Sequence, residues 1–274
     1  MNDQARFVPT YTEYQVQRWQ DGRSTTATDR VAEEVPASLV YNGIPHVVMM
    51  VSPADLEDFA LGFGLSEGIL TRREELYVTD ITPLSEGIEI RMDIDLMRFI
   101  PLEEQHRNLA GRTGCGLCGA ETIDQAIRHP AAVGKGVEVT HAALQTAFAQ
   151  LAERQALNAV TGAVHAAAWA LPDGNLVAVR EDVGRHNAMD KMIGAIAREG
   201  RSFGEGFAVI TSRASFEMAQ KAATVGITLL AAISAPTGLA IRLAEETGLT
   251  LVGFARSGQH NVYANPQRFI SESL

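Results

Sequence analysis

Cysteine is scarce in this chain, with 2 in 274 residues, too few to staple a secreted scaffold. Both lie in one short stretch, Gly114-Cys115-Gly116-Leu117-Cys118-Gly119, where a reducing compartment leaves a close pair for reactivity or metal binding rather than for stapling. Aromatic residues make up only 6%, and no stretch approaches the roughly 20 apolar residues that a membrane span requires. The opening MNDQARFVPTYTEYQ lacks the apolar core of a secretory signal, so a soluble cytoplasmic protein is expected. Positive charge is also in deficit. With 23 Lys and Arg against 33 Asp and Glu, the net charge is -10; a wrapper of duplex DNA or a binder of anionic membranes is excluded, and a polyanionic ligand must meet a local basic pocket.

The 46% hydrophobic content and 24 glycines fit a globular core, in one large domain or two modest ones. The first thirty or so residues are polar and allow a frayed terminus or an irregular strand. SLVYNGIPHVVMMVS then reads as a hairpin about Asn42-Gly43, with Ser52-Pro53 as cap and first residue of the following helix. ELYVTDITPL and GIEIRMDI add strands, giving a small α+β unit over residues 1–105 that ends near Pro101. Residues 106–136 are rich in glycine around the cysteines and mildly basic, as in a flexible connecting loop. A second unit, 137–274, opens with a helix capped by Thr140, whose buried stripe is Leu144, Phe148 and Leu151.

AVHAAAWAL and NLVAVRE flank the turn Pro172-Asp173-Gly174, and a helix ending at Gly200 follows. GFAVITS, ITLLAAIS and LTLVGFAR then alternate with amphipathic helices, and such short crossovers demand parallel strands buried on both faces. The class is therefore α/β.

Glycines beside Cys115 and Cys118 admit a second molecule to the sulfurs, and Arg112 favours thiolate over thiol. A zinc site would need histidines such as His106, His129, His165 or His186, none at the usual spacing, so a bare dithiol is the simpler reading. No apolar strand precedes the pair, which weakens a thioredoxin-like role. Arg180-Glu181-Asp182-Val183-Gly184-Arg185-His186-Asn187 is too dense in polar groups for a simple turn, although Asp182 could merely hold Arg185 in a surface ion pair.

Ser212-Arg213, Ser234 through Thr237 and Phe254-Ala255-Arg256-Ser257-Gly258-Gln259 each follow an apolar strand. Hydroxyls, guanidiniums and free amides thus converge on one edge of a parallel sheet, where open α/β folds bind ligands, and a phosphate-bearing ligand is indicated. N-capping accounts for part of the work of Ser212 and Ser234, but not for Arg213 and Arg256. His165 reads as a core histidine and Glu217 with Lys221 as a surface pair. Neither a Rossmann fingerprint nor a P-loop occurs.

Taken together, GCGLCG, TGAVHAAA, REDVGRHNAMDK, TSRASFEMAQK and SAPTGLAI resemble the formate dehydrogenase accessory sulfurtransferase family (FdhD family) from about Val31 onward. That resemblance implies a three-layer C-terminal domain similar to cytidine deaminases, with a mixed sheet. It also implies a homodimer that takes persulfide sulfur from a cysteine desulfurase and passes it to the molybdenum cofactor, in its bis-guanine-dinucleotide form, before insertion into formate dehydrogenase. Cys115 is then the sulfur carrier and Cys118 its neighbour. The stretch Phe254 to Gln259 matches the family's cofactor-binding segment, with Ser212, Arg213, Ser234, Thr237, Arg185 and His186 alongside, and no zinc. Deaminase chemistry itself is excluded, because His186-Asn187-Ala188 and Arg213-Ala214-Ser215-Phe216 supply neither the catalytic Glu nor the metal-binding cysteines. Two rival functions stand beside this one: a non-catalytic cofactor-binding chaperone of formate dehydrogenase, and a CxxC dithiol oxidoreductase.

Overall fold

A computed structural model describes residues 8–109, 129–256 and 258–271. The polar N-terminal stretch forms one long antiparallel ribbon, β1 (Tyr11–Gln20) with β2 (Arg23–Ala32), turning at Asp21-Gly22, where both residues take positive φ. Its Tyr, Val and Thr residues suit strands, and nearly all of it faces solvent. Next come β3 (Val35–Tyr41) and β4 (Ile44–Val51), joined through Asn42-Gly43 with φ of 46° and 82°, as a two-residue hairpin turn requires. β5 (Leu76–Leu84) and β6 (Gly87–Ile94) complete a four-stranded sheet in the order β4-β3-β6-β5.

Between β4 and β5 lies α1 (Leu56–Ser66). Ser52-Pro53 does not start it: Asp55 is the capping residue, and Ser52 is buried in contacts described below. After β6, α2 (Leu96–Leu109) runs through Pro101, so residues 106–109 continue a helix where a loop was expected. Cys115 and Cys118 lie outside the described residues.

The C-terminal half holds α3 (His141–Glu153), α4 (Ala156–Thr161), β8 (His165–Ala170), β9 (Leu176–Asp182), α5 (Arg185–Arg198), β10 (Phe207–Ile210), α6 (Phe216–Thr224), β11 (Leu229–Ala232), α7 (Gly238–Thr247), β12 (Thr250–Arg256) and β13 (Gln259–Ala264). Two short strands, β7 (Val139–Thr140) and β14 (Phe269–Ile270), pair beside α3. The Thr140 hydroxyl accepts from the Ala143 N–H, and Leu144, Phe148 and Leu151 are buried, as the sequence pattern requires.

The six-stranded sheet has the order β13-β12-β11-β10-β8-β9. β10, β11 and β12 are parallel, while β8 and β13 run against their neighbours, so the sheet is mixed. Alternate side chains divide between two cores: Ala167, Trp169, Ala208 and Ile210 face α5, α6 and α7, whereas Ala166, Ala168, Phe207 and Val209 face α3. The result is a three-layer α/β/α arrangement. The first core also takes in Phe59 and Phe63 of α1 and Leu39, Ile90 and Met92 of the four-stranded sheet, so α1 and α5 cross between the two sheets and join both halves. No helix among the described residues is long and apolar enough to cross a membrane.

Candidate functional site

β9, β10, β11 and β12 all run the same way in the six-stranded sheet, so their carboxyl ends share one edge with the start of β8. The loops on that edge are zipped together by main-chain bonds. Ala214 N–H donates to Ala235 O, Thr237 N–H to Ala214 O, and Phe254 N–H to Ser234 O, at 3.1–3.2 Å. A Cβ on Gly253 would meet Pro236 Cδ at 2.8 Å, so glycine is what lets β12 approach the Ser234–Thr237 loop so closely. The sequence stretches read as strand-end motifs are therefore neighbours in space.

The Arg180–Asn187 stretch divides into scaffold and surface. Asp182 is fully buried, and its Oδ2 accepts from Lys191 Nζ at 2.7 Å and from Ser52 N–H at 3.0 Å. Its Oδ1 accepts from Gly184 N–H and Asn187 Nδ2, while Lys191 also donates to Ser52 O. Asp182 thus pairs with Lys191, not with Arg185, and the pair is internal. Arg180 is held by Asp58 on α1, and Glu181 accepts from the first N–H groups of α4. Only Arg185 and His186 are left to face the edge.

At the mouth of α5, Arg185 Nε and His186 Nε2 are buried without a hydrogen-bond partner, and His186 Nε2 lies 4.0 Å from Glu217 Oε2 at the mouth of α6. Burial foremost, then the charges of Arg185 and Lys221, pushes the His186 imidazole down to about 4, so it is neutral at pH 7. His165, at the first position of β8, is half-buried on this edge rather than in the core, and burial followed by Arg185 holds it below the ordinary imidazole value.

Glu217 and Lys221 are not a surface pair. Lys221 is buried and donates to Asp190, Glu67 and Ser66, at 2.7–3.0 Å. Burial opposes its charge, but Asp190 and Glu67 outweigh it and raise the ammonium. Full burial pushes the Asp190 carboxyl above the ordinary carboxylate range, against the pull of that ammonium and the Ser66 hydroxyl.

Neither Ser212 nor Ser234 caps a helix. Ser212 Oγ donates to Arg213 O, Ser215 is the capping residue of α6 without using its side chain, and Thr237 Oγ1 accepts from Ala240 N–H to cap α7. Phe254 has φ of 53° at a register break of β12, a strained bulge of the kind that re-aims neighbouring side chains. Ala255 packs into the core and can offer a ligand only main-chain atoms, whereas Arg256 and Gln259 are exposed. Ser257 lies outside the described residues.

Sequence reasoning passed over Arg242. Its guanidinium folds back along α7, with Nη1 3.6 Å from where a Cβ on Gly238 would sit, and so reaches the same edge. Among the described residues, Arg185, Arg213, Arg242 and Arg256 form no ion pair; elsewhere Arg18, Arg23, Arg154 and Arg268 form none either, while Arg30, Arg72, Arg73, Arg91, Arg98, Arg180, Arg198 and Arg201 do, so what marks the four is that they share one edge. In a chain of net charge -10, guanidiniums left unpaired along one edge make a local basic site. From β12 to β9 that edge is about 19 Å long at normal strand spacing.

Residues 32–270 match the FdhD/NarQ family. The chain belongs to that family. Among its relatives, a protein of Cupriavidus necator named sulfur carrier protein FdhD is 52% identical over 265 residues, covering 97% of this chain and 92% of its own. Another of the same name from Xanthomonas euvesicatoria pv. vesicatoria is 53% identical over 253 residues, covering 92% and 90%. The crystal structure of a formate dehydrogenase accessory protein from Desulfotalea psychrophila superposes with a TM-score of 0.78 at 24% identity, over 96% of this chain and all of that one. At that identity the superposition establishes the fold. The FdhD/NarQ match spans both the four-stranded and the six-stranded sheet, together with the Cys115–Cys118 stretch between them.

Proposed function

We propose that this FdhD/NarQ member is a sulfurtransferase: a sulfur carrier that accepts persulfide sulfur from a cysteine desulfurase on Cys115 and delivers it to the molybdenum cofactor in its bis-guanine-dinucleotide form, before the cofactor enters formate dehydrogenase. The sulfur-carrier part is supported by the names of close relatives. The cofactor part is supported above all by the row of unpaired arginines on the sheet edge, which suits an elongated anion carrying two phosphate groups per arm.

In the first step the Cys115 thiolate attacks the outer sulfur of the donor persulfide, forming a new S–S bond as the donor cysteine leaves as a thiolate. In the second, the outer sulfur passes to the metal of the bound cargo, which supplies the electron pair, and Cys115 leaves as a thiolate. Cys118 is a neighbouring thiol for which the chemistry requires no separate role. Arg185, Arg213, Arg242 and Arg256 hold phosphate groups, and the neutral His186 offers a hydrogen bond without adding charge.

Incubation with a cysteine desulfurase and cysteine is expected to add about 32 Da to Cys115, reversibly with a thiol. The Cys115→Ala variant should lose that gain and still bind GDP. An unmodified Cys115, or undiminished sulfur transfer by the variant, overturns the carrier reading. For the edge, a double replacement Arg213→Ala with Arg256→Ala should weaken GDP binding by about tenfold or more, the scale of lost charge-assisted hydrogen bonds. Unchanged affinity would remove this edge as the nucleotide site.

A further inference from the structure

A chain of side chains stands behind the turn between β12 and β13. Gly258 N–H donates to Gln145 Oε1 at 3.1 Å. The other end of the same amide, Nε2, lies 3.1 Å from His260 Nδ1 and 3.5 Å from Gln259 O. His260 Nε2 is in turn 2.7 Å from His141 Nδ1. The two imidazoles therefore lie edge to edge, with centroids 4.8 Å and planes 27° apart, and both rings run nearly parallel to Phe269, with centroids at 4.7 and 5.4 Å.

These contacts fix where every proton sits. A main-chain N–H can only donate, so the Gln145 atom facing Gly258 is its oxygen, and the atom facing His260 is the NH2 donor. His260 Nδ1 must then be a bare acceptor, which places its proton on Nε2, facing His141. His141 Nδ1 must therefore also be bare, with its proton on Nε2. A proton added to His260 would bring Nδ1–H against the Gln145 NH2. One added to His141 would bring two N–H groups face to face between the rings, unless His260 switched tautomer and opposed Gln145 instead. Either addition breaks a link.

We infer that Gln145, His260 and His141 are positioning residues that hold the turn carrying Arg256, Gly258 and Gln259 in shape, and that they do so only while both imidazoles are neutral. This rests on the reading of that turn as a nucleotide-holding segment. Among the described residues, those in contact with the pair are Gln145 from α3, Gly258 and Gln259 from the turn, and Phe269 from β14, and none of these carries a charge. Burial first, and then His141, holds His260 below the ordinary imidazole value. For a depressed imidazole the sign is fixed: the clamp is complete above about pH 6.5 and is lost as the pH falls through the lowered folded value.

The test has two arms, both on the full-length protein. Without any nucleotide, two-bond proton–nitrogen NMR at pH 7.5 should show His141 and His260 each protonated on Nε2, and the Gly258 amide shift should move as His260 titrates. A proton on either Nδ1, or a Gly258 shift indifferent to that titration, overturns the inference. With GDP as probe, affinity should fall about fivefold or more between pH 7.5 and pH 5.5, the scale of one lost hydrogen bond. The His141→Phe, His260→Gln double variant keeps a ring against Phe269 and a neutral amide toward Gln145, so its affinity should fall only as far as protonation of the GDP terminal phosphate, at a pKa of about 6, lowers it, and by several-fold less than in the unaltered protein. An equal fall in that variant overturns the clamp. GDP binding at neither pH would count against the nucleotide reading, while the tautomers would still decide the relay.

Discussion

Replacing Asp182 by alanine is expected to destabilise the protein by about 3–5 kcal/mol, the usual cost of stranding one member of a buried ion pair. Its partner Lys191 is fully buried, and no other carboxylate among the described residues pairs with it. The loss goes beyond the ammonium. Ser52 N–H, Gly184 N–H and the Asn187 amide all donate to the same carboxylate, and Asn187 also donates to Met50 O. These bonds tie the end of β4 to the entry of α5 across 130 positions of sequence. Urea unfolding checks it: the midpoint should drop while the slope stays the same. The double variant Asp182→Leu with Lys191→Met should cost less than the sum of its single changes, because no charge is then left alone in the interior. A loss below about 1 kcal/mol for Asp182→Ala would show that water reaches Lys191, contrary to its burial.

The same knot explains why the Arg180–Asn187 stretch is legible only in part. Its density of charge stands out locally, but most of that charge is spent on contacts far away in sequence: Asp182 on Ser52, Arg180 on Asp58, Glu181 on Leu157 and Asn158. The i,i+4 spacing of Glu217 and Lys221 suggests a surface pair for a related reason. Helical spacing is visible in one segment, whereas Asp190 and Glu67, which draw Lys221 inward, come from α5 and from the residue that ends α1. Ser52-Pro53 carries a helix-start signal, yet tertiary contacts use up the serine and the helix begins after Asp55.

By contrast, the β10–α6–β11–α7–β12 succession can be read directly. Short apolar runs buried on both faces and separated by amphipathic helices have few other solutions. Their strand ends then follow from topology, which is how Arg213 and Arg256 come into view. Arg242 escapes because its head turns back along its own helix, and Gln145 and His260 escape because they are 115 positions apart. The N-terminal ribbon did leave a local signal, Asp21-Gly22 between runs of Tyr, Val and Thr, but its faces are so polar that burial gives no period to follow.

Gly194→Ala should destabilise the protein by about 3 kcal/mol or more, although alanine is the better helix former by about 1 kcal/mol. A Cβ at position 194 would fall on the main-chain carbonyl of Asp58, and one at Gly62 on that of Asp190. Each helix thus fills the space of the other's missing side chain where α1 and α5 cross. Backbone cannot rotate out of the way as a side chain can, so the helices must separate, and their crossing also carries the Asp190–Ser66–Lys221 bonds. Because α1 rests on the four-stranded sheet and α5 on the six-stranded one, separation pulls the two halves apart and shifts the α5 mouth where Arg185 and His186 sit. Thermal unfolding should show a midpoint lower by about 6–12 °C. A midpoint unchanged or raised would mean that propensity outweighs the crossing, and that the joint between the two sheets is looser than the contact of these glycines implies.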